Sequence, residues 1–372
     1  MIDREHLIKK FIEYASIDSE TFHEKQLGQT VVRDLENLGL EVRTDTTDED
    51  FIFNFPQSFS NIYGYLKGNK AGGPFLLSAH LDTVSPGKKK TPKVMEGRIS
   101  SVGETVLGAD DVSGIVSIME AIRTLKEENL PHPDIEVLIT TAEEAFCEGS
   151  KYLDYKIIKS KKGYVLDLSG PVGRAAIRAP SIISFEIDIR GRAAHAGFEP
   201  QAGINALKIA AEAINDSPTG WVDEKTTVNF GIISGGSGIN TVPESVNIKG
   251  EVRSLDHTRA KKEAEEIFKR FEETARKAGG VAYCSSNEHI EAYEVPEDSV
   301  TARHFLKAAE RAGLASELVT TYGGSDANRL NEHGIETIVL SCGMENAHTK
   351  NEYIEMDELE KSAELTLSLI LN

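Results

Sequence analysis

Residues 134–144 read DIEVLITTAEE. The apolar run Val137-Leu138-Ile139 predicts a buried strand, yet it leads directly into two adjacent carboxylates, Glu143 and Glu144. An ionised carboxylate beside a core is costly unless hydrogen bonds, opposite charges or metal ions compensate it. Upstream, NIYGYLKG and PFLLSAH read as short β-rich runs, and Ile115, Ile118, Ile122 and Leu125 carry helical spacing. Earlier still, Leu7, Ile8, Phe11 and Ile12 predict an amphipathic helix, and Leu27, Val31, Leu35 and Leu38 a second one stopped by Gly39. Downstream, GYVLDLSG is another short apolar run. Strands alternating with helices predict an α/β layer with a mixed, largely parallel sheet and helices on both faces.

The pattern changes near residue 180. SIISFEIDIRG alternates Phe185, Ile187 and Ile189 with Glu186 and Asp188, a strand with one wet face. A helix (INALKIAAEAIN), two strands (TTVNFGIISGG and ESVNIKGEVRSLD), a long helix and a last strand near 281–291 follow. That β-α-β-β-α-β order is the split arrangement of a ferredoxin-like α+β domain. It is expected as an insertion spanning 179–291, because α/β patterning resumes afterwards with VTARHFLKAAERAG and ETIVLSCG. The catalytic domain is then expected in two segments, 1–178 and 292–372. A chain of 372 residues exceeds one ordinary hydrophobic core, which agrees with two domains.

Formal net charge is −19, from 41 Lys+Arg against 60 Asp+Glu. That balance opposes nucleic-acid binding, which needs a basic surface to displace phosphate counterions. It suits a protein that gathers carboxylates around cations. The cysteines Cys147, Cys284 and Cys342 are odd in number and lack CxxC spacing, so a reducing, cytoplasmic setting is expected rather than a disulfide scaffold. No apolar run is long enough to cross a bilayer, and the N-terminus shows no signal-peptide core, so no membrane partner is expected.

Five short segments place ligand-type side chains near strand ends. LLSAHLDTV carries His80 and Asp82, two apart and hence on one side of a strand. VLGADDVSGI puts Asp110 and Asp111 at a helix start, where an aspartate ordinarily caps the helix. The remaining three are Glu143-Glu144, Asp167 in GYVLDLSG, and His348 in GMENAHTKNEY. Each alone has an ordinary structural reading. Together His80, Asp110, Glu144, Asp167 and His348 form a His/Asp/Glu set without thiolates, which suits Zn²⁺, Mn²⁺ or Co²⁺. Two ions sharing a carboxylate can hold a bridging water and polarise a carbonyl. Such chemistry needs a free carboxylate to take the water's proton, and Glu143 stands beside a candidate ligand.

AHLDTV, LGADDVSGI, TTAEEAFCEG, YVLDLSGPVG, AAHAG, EVRSLD, YGGSDAN and AHTKNEY together resemble, in order, the M20 metallopeptidases, most closely the tripeptide aminopeptidase branch. The resemblance covers essentially the whole chain. It implies a zinc-peptidase-type catalytic domain with an inserted lid and two divalent ions, zinc first, with manganese or cobalt as substitutes. His80, Asp110 and Asp167 would hold one ion, Glu144 and His348 the other, with the Asp110 carboxylate bridging the pair, and Asp110-Asp111 would be joined by a cis peptide. Glu143 matches the general base, Asp82 the acid that orients His80, and His195 the lid histidine that steadies the oxyanion. Arg253, Asn240, Gly324 and Ser325 match substrate-side positions. The implied activity is hydrolysis of a terminal bond in short peptides by a metal-bridged water. GINTVPES is more similar to M20 carboxypeptidases and N-acyl amino acid deacylases, so acyl-amino acids stay open as substrates. Resemblance also leaves open a homodimer through the lid and, in a different class, a non-catalytic binding homologue, against which the complete ligand set argues.

Overall fold

The structure, a computed structural model, describes residues 1–45 and 55–372. The described residues form two compact units, Met1–Arg178 with Glu294–Thr321 and Ser325–Asn372, and Ala179–Tyr293 with Tyr322–Gly324.

The first unit opens with α1 (Arg4–Ala15), α2 (Lys25–Asn37), β1 (Glu41–Thr44), β2 (Ile62–Leu66) and β3 (Phe75–His80). Then come β4 (Pro92–Met95), β5 (Arg98–Ser101), α3 (Ala109–Glu127), β6 (Ile135–Thr140), β7 (Lys162–Leu168) and β8 (Arg174–Ala179). The second unit contains β9 (Ser181–Arg190), α4 (Ala206–Asn215), β10 (Gly220–Trp221), β11 (Thr226–Gly235), β12 (Ser245–Ser254), α5 (His257–Lys277) and β13 (Val281–Ile290). The chain returns through β14 (Tyr293–Glu294), α6 (Val300–Arg311), β15 (Glu317–Thr320), α7 (Asp326–Glu332) and β16 (Glu336–Ser341). It ends with β17 (Met344–Glu345), β18 (Tyr353–Glu355) and α8 (Met356–Leu371).

Local chemistry sets these limits. Asp3 caps α1 by accepting from the His6 N–H, and the helix buries Leu7, Phe11 and Tyr14 at the expected spacing. Gly39, at φ 81°, takes the left-handed conformation that ends the α2 segment. In the main sheet the order is β1-β2-β6-β3-β7-β16-β8-β14, with β15 beside β8. Strands β6, β3, β7 and β16 run parallel, whereas β1, β2 and β8 pair antiparallel. The sheet is therefore mixed and largely parallel. Every residue of β3 and β6 is buried, which explains why both read as continuous apolar runs rather than alternating ones. A second, four-stranded sheet in the order β17-β18-β5-β4 was not expected from the sequence. Its strands are only two to four residues long, too short to show a period.

In the second unit the sheet order is β10-β11-β12-β9-β13, antiparallel throughout. Phe185, Ile187 and Ile189 of β9 turn inward and pack with Ile267 and Phe271 of α5 in one apolar cluster. Phe271 is fully buried there, so Phe271→Ala is expected to cost about 3–5 kcal/mol of unfolding free energy. Denaturant unfolding checks this; a loss below about 1 kcal/mol would mean that the cavity refills or that the core lies elsewhere.

Candidate metal centre

Parallel neighbours deliver their C-terminal ends to one edge of a sheet, where α/β folds bind ligands. His80 is the last residue of β3 and stands in register with Thr140, the last of β6. Glu143 and Glu144 follow β6 within four residues, Asp167 is the penultimate residue of β7, and Asp110 lies in the first turn of α3. His348 follows the β16–β17 segment with φ 64°.

These side chains converge as two triads that share Asp110. His80, Asp110 and Asp167 offer ligand atoms within 4.8 Å of one another, as do Asp110, Glu144 and His348. His80 Nε2 lies 3.0 Å from Asp110 Oδ1 and 3.6 Å from Asp167 Oδ1. His348 Nε2 lies 3.1 Å from Asp110 Oδ2 and 2.9 Å from Glu144 Oε1. The two oxygens of Asp110 thus face two different imidazoles. Among the described residues, the ion pairs to Asp110, Asp167 and Glu144 come from these histidines alone, with no Lys or Arg.

Burial acts on each group. It drives the Asp167 carboxyl up to about 7, with the Asp110 charge adding to the effect. Glu144 is raised by burial first and by Asp110 second. Burial alone would raise Asp110 too, but hydrogen bonds from His348 and His80 outweigh it and hold the group well below the usual range. His348 is raised to about 10 by Asp110 and Glu144, and His80 is raised despite its burial by Asp110, Asp167 and Asp82. Such converging oxygen and nitrogen donors fit hard or borderline divalent cations. Glu144 Oε1 adds a buried oxygen that accepts no hydrogen bond of good geometry.

The supports come from elsewhere in the same unit. Asp82 lies 3.4 Å from His80 Nδ1 and also accepts the backbone N–H of Glu143 at 2.9 Å and of Glu144 at 3.1 Å. One carboxylate therefore steadies both the His80 ring and the turn that carries the paired glutamates. That turn is unusual: Ala142, Phe146 and Cys147 have φ of 48°, 63° and 58° without being glycine. The Glu143 carboxyl is buried and raised well above the ordinary value, by desolvation first and by the Asp167 charge second. Asp111, joined to Asp110 by a cis peptide, accepts from His80 N at 3.2 Å and Gly114 N at 3.0 Å. Its side chain ties α3 to the end of β3.

In the second unit His195 and Asn240 stand together, since Ala196 N donates to Asn240 O at 2.9 Å and His195 bridges Thr241. The exposed His195 ring accepts two backbone N–H groups, of Gly197 and Phe198, on Nδ1 at 3.1 Å each. A neutral ring that accepts on Nδ1 carries its proton on Nε2. Arg253, which the bare sequence reads as an exposed strand charge, is half-buried and forked onto Glu251 at 2.8 and 3.2 Å. Its third side donates to Tyr322 O at 3.0 Å. Gly324 belongs to this unit, and a Cβ there would meet Ile290 Cδ1 at 2.1 Å. Ser325 belongs to the first unit, where its side chain caps α7.

Residues 76–372 match peptidase family M20/M25/M40. The chain belongs to that family. It is thus a hydrolase of the metallopeptidase kind, and it is peptidase T-like. It is 38% identical over 370 residues to the uncharacterized protein YqjE of Bacillus subtilis, covering 100% of this chain and 99% of that one. Among solved structures it is similar to aminopeptidase PepT from Bacillus cereus, at 38% identity and a TM-score of 0.92 over 100% of this chain and 98% of the other. A tripeptidase from Staphylococcus aureus gives 32% identity and a TM-score of 0.95 over 100% of this chain and 98% of the other.

Three buried acids support the turns around these triads in ways the sequence does not show. Glu352 accepts the N–H groups of Leu107, Gly108 and Asp110 at 2.6, 2.7 and 3.0 Å, and so holds the loop that delivers Asp110. Asp326 accepts from Ser150 Oγ at 2.5 Å and from Thr140 Oγ1, binding the end of β6 to the turn beyond it. Glu24 reaches the same turn from the start of α2. No local pattern marks any of the three, because each accepts from groups more than 100 residues away, backbone amides for Glu352 and Glu24 and hydroxyls for Asp326. Among the described residues, no helix is long and apolar enough to cross a membrane.

Proposed function

We propose that this M20 peptidase is a dinuclear, zinc-type aminopeptidase that removes a residue from the end of short peptides, tripeptides first. The observation that carries this reading is the pair of triads sharing Asp110, with the carboxylate of Glu143, which belongs to neither triad, next in sequence to a member of one of them. His80, Asp110 and Asp167 would hold one cation, and Asp110, Glu144 and His348 the other. Bound there, two divalent cations would polarise the scissile carbonyl and acidify a water molecule.

In this reading the protein's own side chains handle the protons. Glu143 takes the proton of the attacking water on a carboxylate oxygen and passes it to the leaving nitrogen. Its burial suits that task, since a desolvated carboxylate is a stronger base than a solvated one. Asp82 orients the His80 ring and fixes the turn beneath Glu143. His195, with its proton on Nε2, has the donor needed to stabilise a developing oxyanion. Asn240, Arg253, Gly324 and Ser325 are assigned to the substrate side, and Arg253 would meet a terminal carboxylate in competition with Glu251. The similarity to a PepT aminopeptidase and a tripeptidase supports the tripeptide assignment.

The deciding experiment is a panel of tripeptides, dipeptides and N-acyl amino acids, assayed with zinc, manganese or cobalt. Tripeptides are expected to be cleaved with at least a tenfold preference in kcat/KM, about 1.4 kcal/mol of discrimination. Cleavage of acyl-amino acids with tripeptides untouched would replace this reading with a deacylase.

A further inference from the structure

We infer that Glu24 is a positioning residue for the turn that carries Glu143. The inference rests on the reading of Glu143 as the proton acceptor. Glu24 lies upstream of the matched family region and is fully buried. It occupies the cap position of α2, yet its side chain makes no capping hydrogen bond to that helix. Instead Oε1 accepts the N–H groups of Phe22 at 2.8 Å and Ala142 at 3.2 Å, and Oε2 accepts from Ser58 Oγ at 2.8 Å. Among the described residues no Lys, Arg or His pairs with it. A buried carboxylate without a cation is costly, and its compensation here is this set of donors.

Ala142 is the residue directly before the proposed base, and it has φ 48°. A non-glycine residue there is disfavoured and persists only when its surroundings fix it. Three consecutive amides are fixed by two buried acids: Ala142 N by Glu24, and Glu143 N and Glu144 N by Asp82. Asp82 also faces the ring of His80, so its loss would disturb the metal ligands directly. Glu24 touches no ligand side chain. Releasing Ala142 lets its backbone relax and turns the Cα–Cβ bond of Glu143 away, while the ligand set stays in place.

Geometry, rather than charge, is what Glu24 contributes. A glutamine fits the same space, its carbonyl oxygen accepting both amides and its NH2 donating to Ser58 Oγ, which is free to donate onward to Thr141 Oγ1 at 3.2 Å. An aspartate is one methylene too short, and an alanine offers no acceptor.

The test compares E24A, E24D and E24Q with the unsubstituted enzyme, loaded with zinc or cobalt and assayed on trialanine. Metal content and amide hydrogen exchange across 138–150 are measured in parallel. Misplacing a catalytic group by about 1 Å can cost about 100-fold, so E24A is expected to lose about 30- to 100-fold in kcat, and E24D about tenfold. KM should stay within about threefold, metal content should not change, and E24Q should recover to within about threefold in kcat. The Ala142 amide should exchange faster in E24A and E24D and normally in E24Q, while the Glu144 amide, held by Asp82, should not change. Unchanged kcat in folded E24A and E24D, a kcat loss that tracks lost metal, or E24Q as impaired as E24A would each overturn the inference. If E24A does not fold, E24D against E24Q decides. E143Q is run alongside: retained turnover there removes the reading of Glu143, whereas normal exchange at Ala142 in E24D removes the role of Glu24.

Discussion

Glu143→Gln is expected to lower kcat by at least about 1,000-fold while leaving two metal ions per chain and a KM within a few-fold of the unsubstituted enzyme. The amide has the size and shape of the carboxyl and still fits the site that buries it, but it cannot accept and return a proton. Stability should not fall, because the substitution removes a buried carboxyl that desolvation and Asp167 already keep far from its ordinary ionisation. Thermal unfolding and metal analysis on the same preparation separate this outcome from simple misfolding. Glu144→Gln is the control: it removes an oxygen from the Asp110/Glu144/His348 triad and should lose metal as well as turnover. Turnover by Glu143→Gln at the unsubstituted rate would eliminate Glu143 as the base and leave the neighbouring triads without an assigned proton acceptor.

What the sequence discloses of this fold follows from distance along the chain. Local periodicity marks β3, β6 and α3, because a strand or helix writes its buried face into neighbouring residues. It marks equally the inserted β-α-β-β-α-β run, where Phe185, Ile187 and Ile189 alternate inward. It does not mark the β17-β18-β5-β4 sheet, whose partners Ile99 and Ile354 meet only through tertiary pairing. The candidate site divides in the same way. Acids and histidines at strand ends are visible, and the structure brings His80, Asp110, Glu144, Asp167 and His348 into two overlapping triads. The carboxylates that support the turns around those residues are invisible. Glu24, Asp326 and Glu352 look in sequence like ordinary helix-end or loop acids, and only the fold aims Glu24 and Glu352 at buried amides and Asp326 at buried hydroxyls. Arg253 shows the converse: a charge that reads as exposed is neutralised by Glu251, two residues away on the same face of β12.

Removing the metals by chelation is expected to abolish turnover and to destabilise the protein by an amount that grows with pH between about 5 and 8. The sign follows from the groups at the triads. Asp167, pushed by burial and then by Asp110 from 3.8 to about 7, binds its proton more tightly in the folded chain than in the unfolded one. Its favourable contribution is complete below the unfolded value and is lost as pH rises towards about 7. His348, raised from 6.5 to about 10 by Asp110 and Glu144, stabilises fully below 6.5 and progressively less above it. Asp110 is shifted the opposite way, so its contribution disappears only on acidification below the ordinary carboxylate range, outside this window. Chelated protein should therefore lose stability steadily as pH rises from about 5 to 8. Loaded protein should not, because cations bind the deprotonated ligands and gain affinity as protons leave. With free metal at about 1,000 times its dissociation constant, each ion adds about 4 kcal/mol, enough to separate the two melting curves by several degrees at pH 8. The gap should narrow at pH 5.5, where protons compete for the imidazoles and carboxylates. Calorimetric melts with and without chelator across this range, with metal stoichiometry measured at each pH, make the test; a gap that stays constant or closes as pH rises would show that these side chains do not bind the cations that stabilise the protein.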